Sequence, residues 1–269
     1  MTAPPCEPLA AALGHLYEML TVHRGFVAEP SVASAFARWS AVRLLPMSTS
    51  HYGTVCELIY RCALMRTEPG ETAADATAAL RRHGDSTAWL ASRARNLLFT
   101  RADAAAPYAF AIVVITAGSG PDATAKLEAA RAQAETAATQ LRQSDLPSAR
   151  GRIIRLALGP TPRRVAPTRV NNEFVSTEVW FVGELQTNPL EHELVPRHLV
   201  YAHMSAAERA RLPPATRAAA EGDITRLDVL RTSDPVARWC DFVPGQVICI
   251  ERRNLFEGGV SYALRRVAP

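Results

Sequence analysis

The sequence predicts a mixed α+β fold in two parts: an N-terminal α/β domain over residues 1–172, and a smaller C-terminal domain over 173–269 with a four-stranded mixed sheet and short helices. Three observations predict it. A continuous apolar run of strand length, YAFAIVVIT at 108–116, is broken by Gly118-Ser119-Gly120-Pro121 and followed by a strongly helix-forming stretch at 122–141, which reads as buried strand, turn and helix. Residues 159–172, GPTPRRVAPTRVNN, are rich in proline and arginine and mark a boundary. Beyond 174 the texture changes to short strand-like segments separated by proline-limited helices.

The elements follow in chain order. Residues 9–24 place Leu13, Leu16, Tyr17 and Leu20 at helical spacing, and Gly25 suits a left-handed end. A short extended exit at 26–28 leads to a second helix, from Ser31 to Arg43, stopped by Pro46. Residues 52–65 fit either strand or helix. Residues 67–106 hold few large apolar side chains and read as a surface-facing helical insertion with loops. A further strand is expected at 152–158. In the C-terminal part strands are expected at 178–185, 199–202, 246–251 and 260–266, the last two pairing across a loop that contains Gly258-Gly259. Ser205 starts a helix that Pro213-Pro214 ends. Ser233 or Asp234 before Pro235 gives another helix start, because a capping oxygen satisfies the first free amides and proline fits the first helical position. This second helix runs from Pro235 to Phe242, ahead of Pro244-Gly245.

Composition sets limits. At 48% hydrophobic and 21% charged, the chain reads as folded and soluble. Its longest apolar runs, such as 109–115, fall far short of the roughly 20 residues that span a bilayer, so no membrane partner is expected. The opening MTAPPCEPLAAALGH has no basic region before its weak apolar stretch, and no signal peptide is expected. A net charge of +4 permits contact with nucleic acid without arguing for it. Of the 30 basic residues only Lys126 is lysine, a bias that a GC-rich genome explains. Cys6, Cys56, Cys62, Cys240 and Cys249 form no CxxC pair, so reduced thiols in a reducing compartment are expected.

Catalytic chemistry finds little support. Gly118-Ser119-Gly120-Pro121-Asp122-Ala123 fits G-x-G-x-x-A after a strand and before a helix, where backbone amides cradle a pyrophosphate. A nucleotide-binding enzyme using this turn is the alternative reading. Against it, the next strand, 152–158, ends without the ribose-binding carboxylate. His192, His198 and His203 lie close in sequence, but no cysteine or dense acidic cluster accompanies them as metal ligands. A nucleophile elbow, P-loop or HExxH motif is absent.

Three C-terminal strings carry more information. They are EHELVPRHLV at 191–200, TSDPVARW at 232–239 and PGQVICIER at 244–252, and the chain closes with VSYALRRV at 260–267. In order and content they resemble the fifth common subunit of eukaryotic nuclear DNA-directed RNA polymerases, a family with an archaeal branch, over about residues 178–268. That family carries a HELVP-H string, a DPVAR-aromatic helix start, a GQVVKI-like strand and a terminal Tyr-x-x-Tyr/Leu-Arg-x-Val strand. Residues 16–27, with Arg24-Gly25-Phe26, are similar to the family's opening helix and RGY corner. Residues 109–123 are similar to its jaw strand and the turn after it. Residues 40–107 and 142–172 are longer than the family norm, 215–223 are extra, and Leu255-Phe256 replace a polar hairpin.

The resemblance implies a non-catalytic, divergent subunit with a jaw domain over 1–172 and an assembly domain over 173–269. Its implied partners are the largest and other subunits of a nuclear polymerase, and downstream duplex DNA contacted without sequence preference. No cofactor, metal or small-molecule substrate is implied. The DNA-proximal jaw turn falls on Ser119, Gly120, Pro121 and Lys126. The interface and family-motif residues are His192, Glu193, Pro196, His198, Asp234, Pro235, Arg238, Trp239, Gly245, Gln246, Tyr262 and Arg265. Trp239, Phe242, Leu255 and Phe256 are expected as exposed apolar anchors for the partner. A nuclear location, nucleolar for a component of the ribosomal-RNA polymerase, follows.

Overall fold

The computed structural model describes residues 7–43, 69–83, 86–101, 108–118, 120–144, 149–159, 170–171, 174–253 and 258–269. The segment 52–65, most of the 159–172 boundary, and Ser119, Cys6, Cys56, Cys62, Leu255 and Phe256 lie outside the described residues. The chain divides into two compact units, Met1–Thr187 and Asn188–Pro269.

The first unit opens with helix α1, Glu7–Glu18, which buries Leu9, Ala12, Leu13 and Leu16 as the apolar spacing predicts. The helix widens into a π-turn at Met19–His23, where the Arg24 amide donates back to the Met19 carbonyl at 3.0 Å. Gly25 then reverses the chain at φ +69°, a conformation glycine takes without steric penalty. Strand β1, Val27–Ala28, leads to α2, Pro30–Arg43, with Pro30 at the first helical position. The Tyr17 ring of α1 stacks on Phe36 of α2 at 4.7 Å.

Three elements follow in the region read as an insertion: α3 at Ala73–His83, α4 at Thr87–Arg93 and β2 at Leu97–Thr100. Strand β2 is a correction to the surface-insertion reading, since Leu97 and Phe99 are buried and the strand pairs antiparallel with β3, Phe110–Ala117. Helix α5, Pro121–Ser144, returns the chain to β4, Gly151–Leu158, which runs parallel to β3. Short β5, Val170–Asn171, and β6, Val175–Phe181, complete a six-stranded sheet in the order β1-β2-β3-β4-β6-β5. The parallel centre is buried on both faces, which is why β3 reads as an unbroken apolar run.

Helix α5 meets the sheet through alanines. Ala130, Ala134 and Ala138, each fully buried, pack with Phe110, Ile112, Val114 and Ile153. Small side chains at four-residue spacing bring the helix axis close to the strands. Gly151 belongs to the same packing, because a Cβ there would sit 2.5 Å from the Phe110 ring.

The second unit holds a four-stranded sheet in the order β7-β9-β10-β8, with β7 at Arg197–Val200, β8 at Asp228–Arg231, β9 at Val247–Arg253 and β10 at Val260–Ala268. The sheet is mixed as expected: β9 pairs antiparallel with β7 and β10, while β8 runs parallel to β10. One expected member differs. The strand placed at 178–185 forms at Val175–Phe181, belongs to the first sheet, and turns into a 3-10 helix at Val182–Leu185. The fourth strand is β8, whose four residues include two charged side chains and so give a weak apolar signal.

Short helices cover both faces. Helix α6, Ala206–Ala210, starts with a reciprocal cap in which Ser205 and Glu208 each accept the other's amide. It is followed by α7, Pro214–Glu221, and later by α8, Pro235–Trp239. Alternation along β9 sends Ile248 and Ile250 into a core with Val236, Ala237 and Phe242 of the α8 region. Cys249 points into the opposite core, with Tyr201, Met204, Leu212 and Ala220. Among the described residues no helix is long and apolar enough to cross a membrane.

Candidate functional site

The expected jaw turn lies between β3 and α5. Gly118 takes φ +60°, and its amide donates to the Leu158 carbonyl at 3.3 Å, tying the ends of β3 and β4. Arg155 of β4 reaches across, donating to Thr116 Oγ1 at 3.0 Å and to the Gly118 carbonyl. A cleft of about 480 Å³ opens beside the turn, lined by Ala88, Ala91, Ala117, Gly120, Pro121 and Lys126. The structure thus brings Gly120, Pro121 and Lys126 to one cleft. Lys126 is directed inward, however: its ammonium donates to the Ala91 and Ala94 carbonyls at 2.8 and 2.7 Å, at the C-terminal end of α4. A cation on those carbonyls suits the negative end of a helix. The charge expected beside a phosphate is therefore engaged within the fold. β4 ends at Leu158 and continues into Gly159, so the carboxylate that a dinucleotide site needs is missing there.

The family-motif residues fall into three groups. Asp234 caps α8, its Oδ1 accepting the Val236 and Ala237 amides at 2.9 and 3.3 Å, with Pro235 at the first helical position as the sequence predicts. The helix stops at Trp239 rather than Phe242, because Asp241 turns the chain at φ +57°. Trp239 is 0% exposed and Phe242 is 5% exposed, which corrects the expectation that they stand at the surface. Phe242 packs in the unit's core with Val236, Ala237, Ile248 and Ile250, and Trp239 is fully buried.

Gly245 and Gln246 belong to the turn entering β9. Gly245 has φ +92° and donates to the Val267 carbonyl at 3.0 Å, and the Val267 amide returns to Gln246 at 2.8 Å. Gln246 Oε1 also accepts the Val243 amide at 2.9 Å. Tyr262 packs half-buried on the α6–α7 side of the sheet.

The third group surrounds β7. His192 and Glu193 are exposed ahead of the strand, where His192 Nδ1 accepts the Leu194 amide at 3.2 Å. His198 Nδ1 bonds the Pro196 carbonyl at 2.7 Å. Burial, reinforced by the positive charges of Arg265 and Arg252, lowers the His198 pKa against the opposing pull of that bond and of Asp234. His198 and Arg265 lie on the same face of the sheet as their partners Ile250 and Ile248, the face that the α8 region covers. The sequence reading missed Leu194, which is 71% exposed, and Arg197, which lies 3.6 Å from Glu208 and 3.8 Å from Glu251. Their signal was present in the HELVPR string itself, which puts a leucine and an arginine on either side of a proline. Among the described residues no group of three or more His, Cys, Asp or Glu side chains is placed to hold a metal ion.

Residues 187–264 match the family model for the RNA polymerase Rpb5 C-terminal domain. The chain matches no curated protein. The match covers β7 through most of β10 and contains all twelve residues of the expected interface except Arg265, which follows its last position. Residues 187–264 of the C-terminal unit thus carry the pattern of an RNA polymerase Rpb5 C-terminal domain, a match that supports an Rpb5-family subunit.

Proposed function

We infer that the chain is a non-catalytic subunit of a nuclear DNA-directed RNA polymerase, that its C-terminal unit docks on the largest subunit, and that its N-terminal unit forms the lower jaw near downstream DNA. The observation that carries this reading is the family match over 187–264, coincident with a self-contained 188–269 unit. A unit this small gains stability by mass action when it binds a large partner. Because Trp239 and Phe242 are buried, docking falls to the exposed segment before β7 and to half-buried Leu199, Tyr262 and Leu264 on the α6–α7 side of the sheet. Contact with DNA is assigned to the backbone around Gly120 and Pro121, directed to phosphates and independent of base sequence. The longer segments 40–107 and 142–172 fit a lineage-specific paralogue in the nucleus, or in the nucleolus if it serves the ribosomal-RNA polymerase.

Cross-linking mass spectrometry on the assembled enzyme with a DNA template tests the two assignments separately. Cross-links from 188–269 to the largest subunit and from the 118–121 turn to template downstream of the active centre are expected. Exclusive cross-linking of 188–269 to other subunits would remove the docking assignment, and a turn unreactive to DNA would remove the jaw assignment.

A further inference from the structure

One groove of the second unit borders the segment before β7 to which the polymerase reading assigns docking. Strand β7 pairs with β9 only from Ile248 to Glu251, whereas β10 accompanies β9 through Arg253. Arg252 and Arg253 therefore extend past the end of β7. Beside them lies a groove of about 490 Å³, walled on the other side by Leu194, Val195, Pro196 and Arg197. Glu193 and Glu251 line it as well, Glu251 at 3.8 Å from Arg197.

Three features define what the groove takes. Arg252 and Arg253 are exposed and make no ion pair among the described residues. Being adjacent on a strand, they point to opposite faces. Arg197 meets its carboxylates only at 3.6 and 3.8 Å with a side chain 59% exposed, a weak and exchangeable pairing. Leu194 supplies a large apolar surface at the same place.

We propose that this groove binds an extended acidic segment of another polypeptide, which lies along the free edge of β9 with two consecutive carboxylates on Arg252 and Arg253 and a neighbouring apolar side chain on Leu194. An added strand gains affinity from main-chain hydrogen bonds and specificity from alternating side chains. Two carboxylates in succession on a strand point to opposite faces, as the two arginines do, and arginine holds a carboxylate at two points. The proposal rests on the reading of the chain as a polymerase subunit and names the chemistry of one partner segment.

The test uses the full chain and a fluorescein-labelled octapeptide with a central Glu-Glu pair flanked by leucines, followed by anisotropy. Saturable binding is expected, weakened at least about tenfold by Arg252→Glu with Arg253→Glu and by a Gln-Gln peptide. Leu194→Ser weakens it independently of charge. Unchanged melting of the variants shows that the fold persists. An absence of binding, or binding indifferent to charge reversal, overturns the proposal. So does binding of a labelled DNA duplex by these arginines in place of the peptide. Co-purification of the wild-type chain with polymerase keeps the two readings apart: a chain that assembles but ignores the peptide refutes only the groove, and a chain that binds the peptide but never assembles refutes only the polymerase role.

Discussion

Arg24 and Glu178 stand 154 positions apart and meet in a two-point contact, Nη1 to Oε2 at 2.9 Å and Nη2 to Oε1 at 3.2 Å. Both side chains are nearly inaccessible, and Arg152 joins at 3.2 Å from Glu178 Oε2 while stacking 3.9 Å from the centre of the Tyr108 ring. The contact ties the turn after the N-terminal helix to β6. Removing one member leaves a buried charge with fewer partners, which costs about 3–5 kcal/mol. Arg24→Met is expected to lower the stability of the full chain by that amount in urea unfolding, and Arg24→Lys by less than half of it. Equal losses would show that charge pairing at this point is not what matters.

Gly151 offers a purely steric prediction. Phe110 is buried, so its ring has no room to leave a Cβ built 2.5 Å away. Gly151→Ala should cost about 1–3 kcal/mol through overpacking. Combining it with Phe110→Leu should recover part of the loss in a double-mutant cycle. Strict additivity of the two changes would place the strain elsewhere.

These two sites show where the sequence is legible and where it is not. Strand β3, its turn, helix α5, the Asp234 cap and the β9–β10 pairing are written in local patterns of apolar runs, glycine and proline. Arg152 and Glu178 are not, because a charged residue within an apolar strand looks the same in sequence whether it faces water or a partner far along the chain. Strand β8 is hidden by Asp228 and Arg231. Trp239 sits on a helix of five residues, too short for periodicity to say which way the ring points.

The burial of Trp239 separates core from interface. Trp239→Ala is expected to destabilise the second unit by about 3–5 kcal/mol, because truncating a buried aromatic ring leaves a cavity. Asp234→Ala should cost about 1 kcal/mol by removing the helix cap, with Asp234→Asn retaining most of it. Circular dichroism melts distinguish the two. A Trp239→Ala chain that melts like wild type would return the ring to the surface.

Stability should also fall in mild acid through His198. Its folded pKa lies below the unfolded value of 6.5, chiefly because burial disfavours the charged ring. The unfolded chain therefore binds more protons in the interval between the two pKa values. The stabilisation is complete above 6.5 and is lost as pH drops through the folded pKa. Urea midpoints measured from neutral pH downward should decline less steeply for His198→Gln than for wild type. Parallel declines would exclude His198 as the source.

The most direct measurement is affinity purification of the tagged full chain from its own cells, with quantitative mass spectrometry of what accompanies it. The expected result is a polymerase largest subunit in equal amount, with the other subunits of the same enzyme. A chain recovered alone, or with proteins unrelated to transcription, would contradict the account.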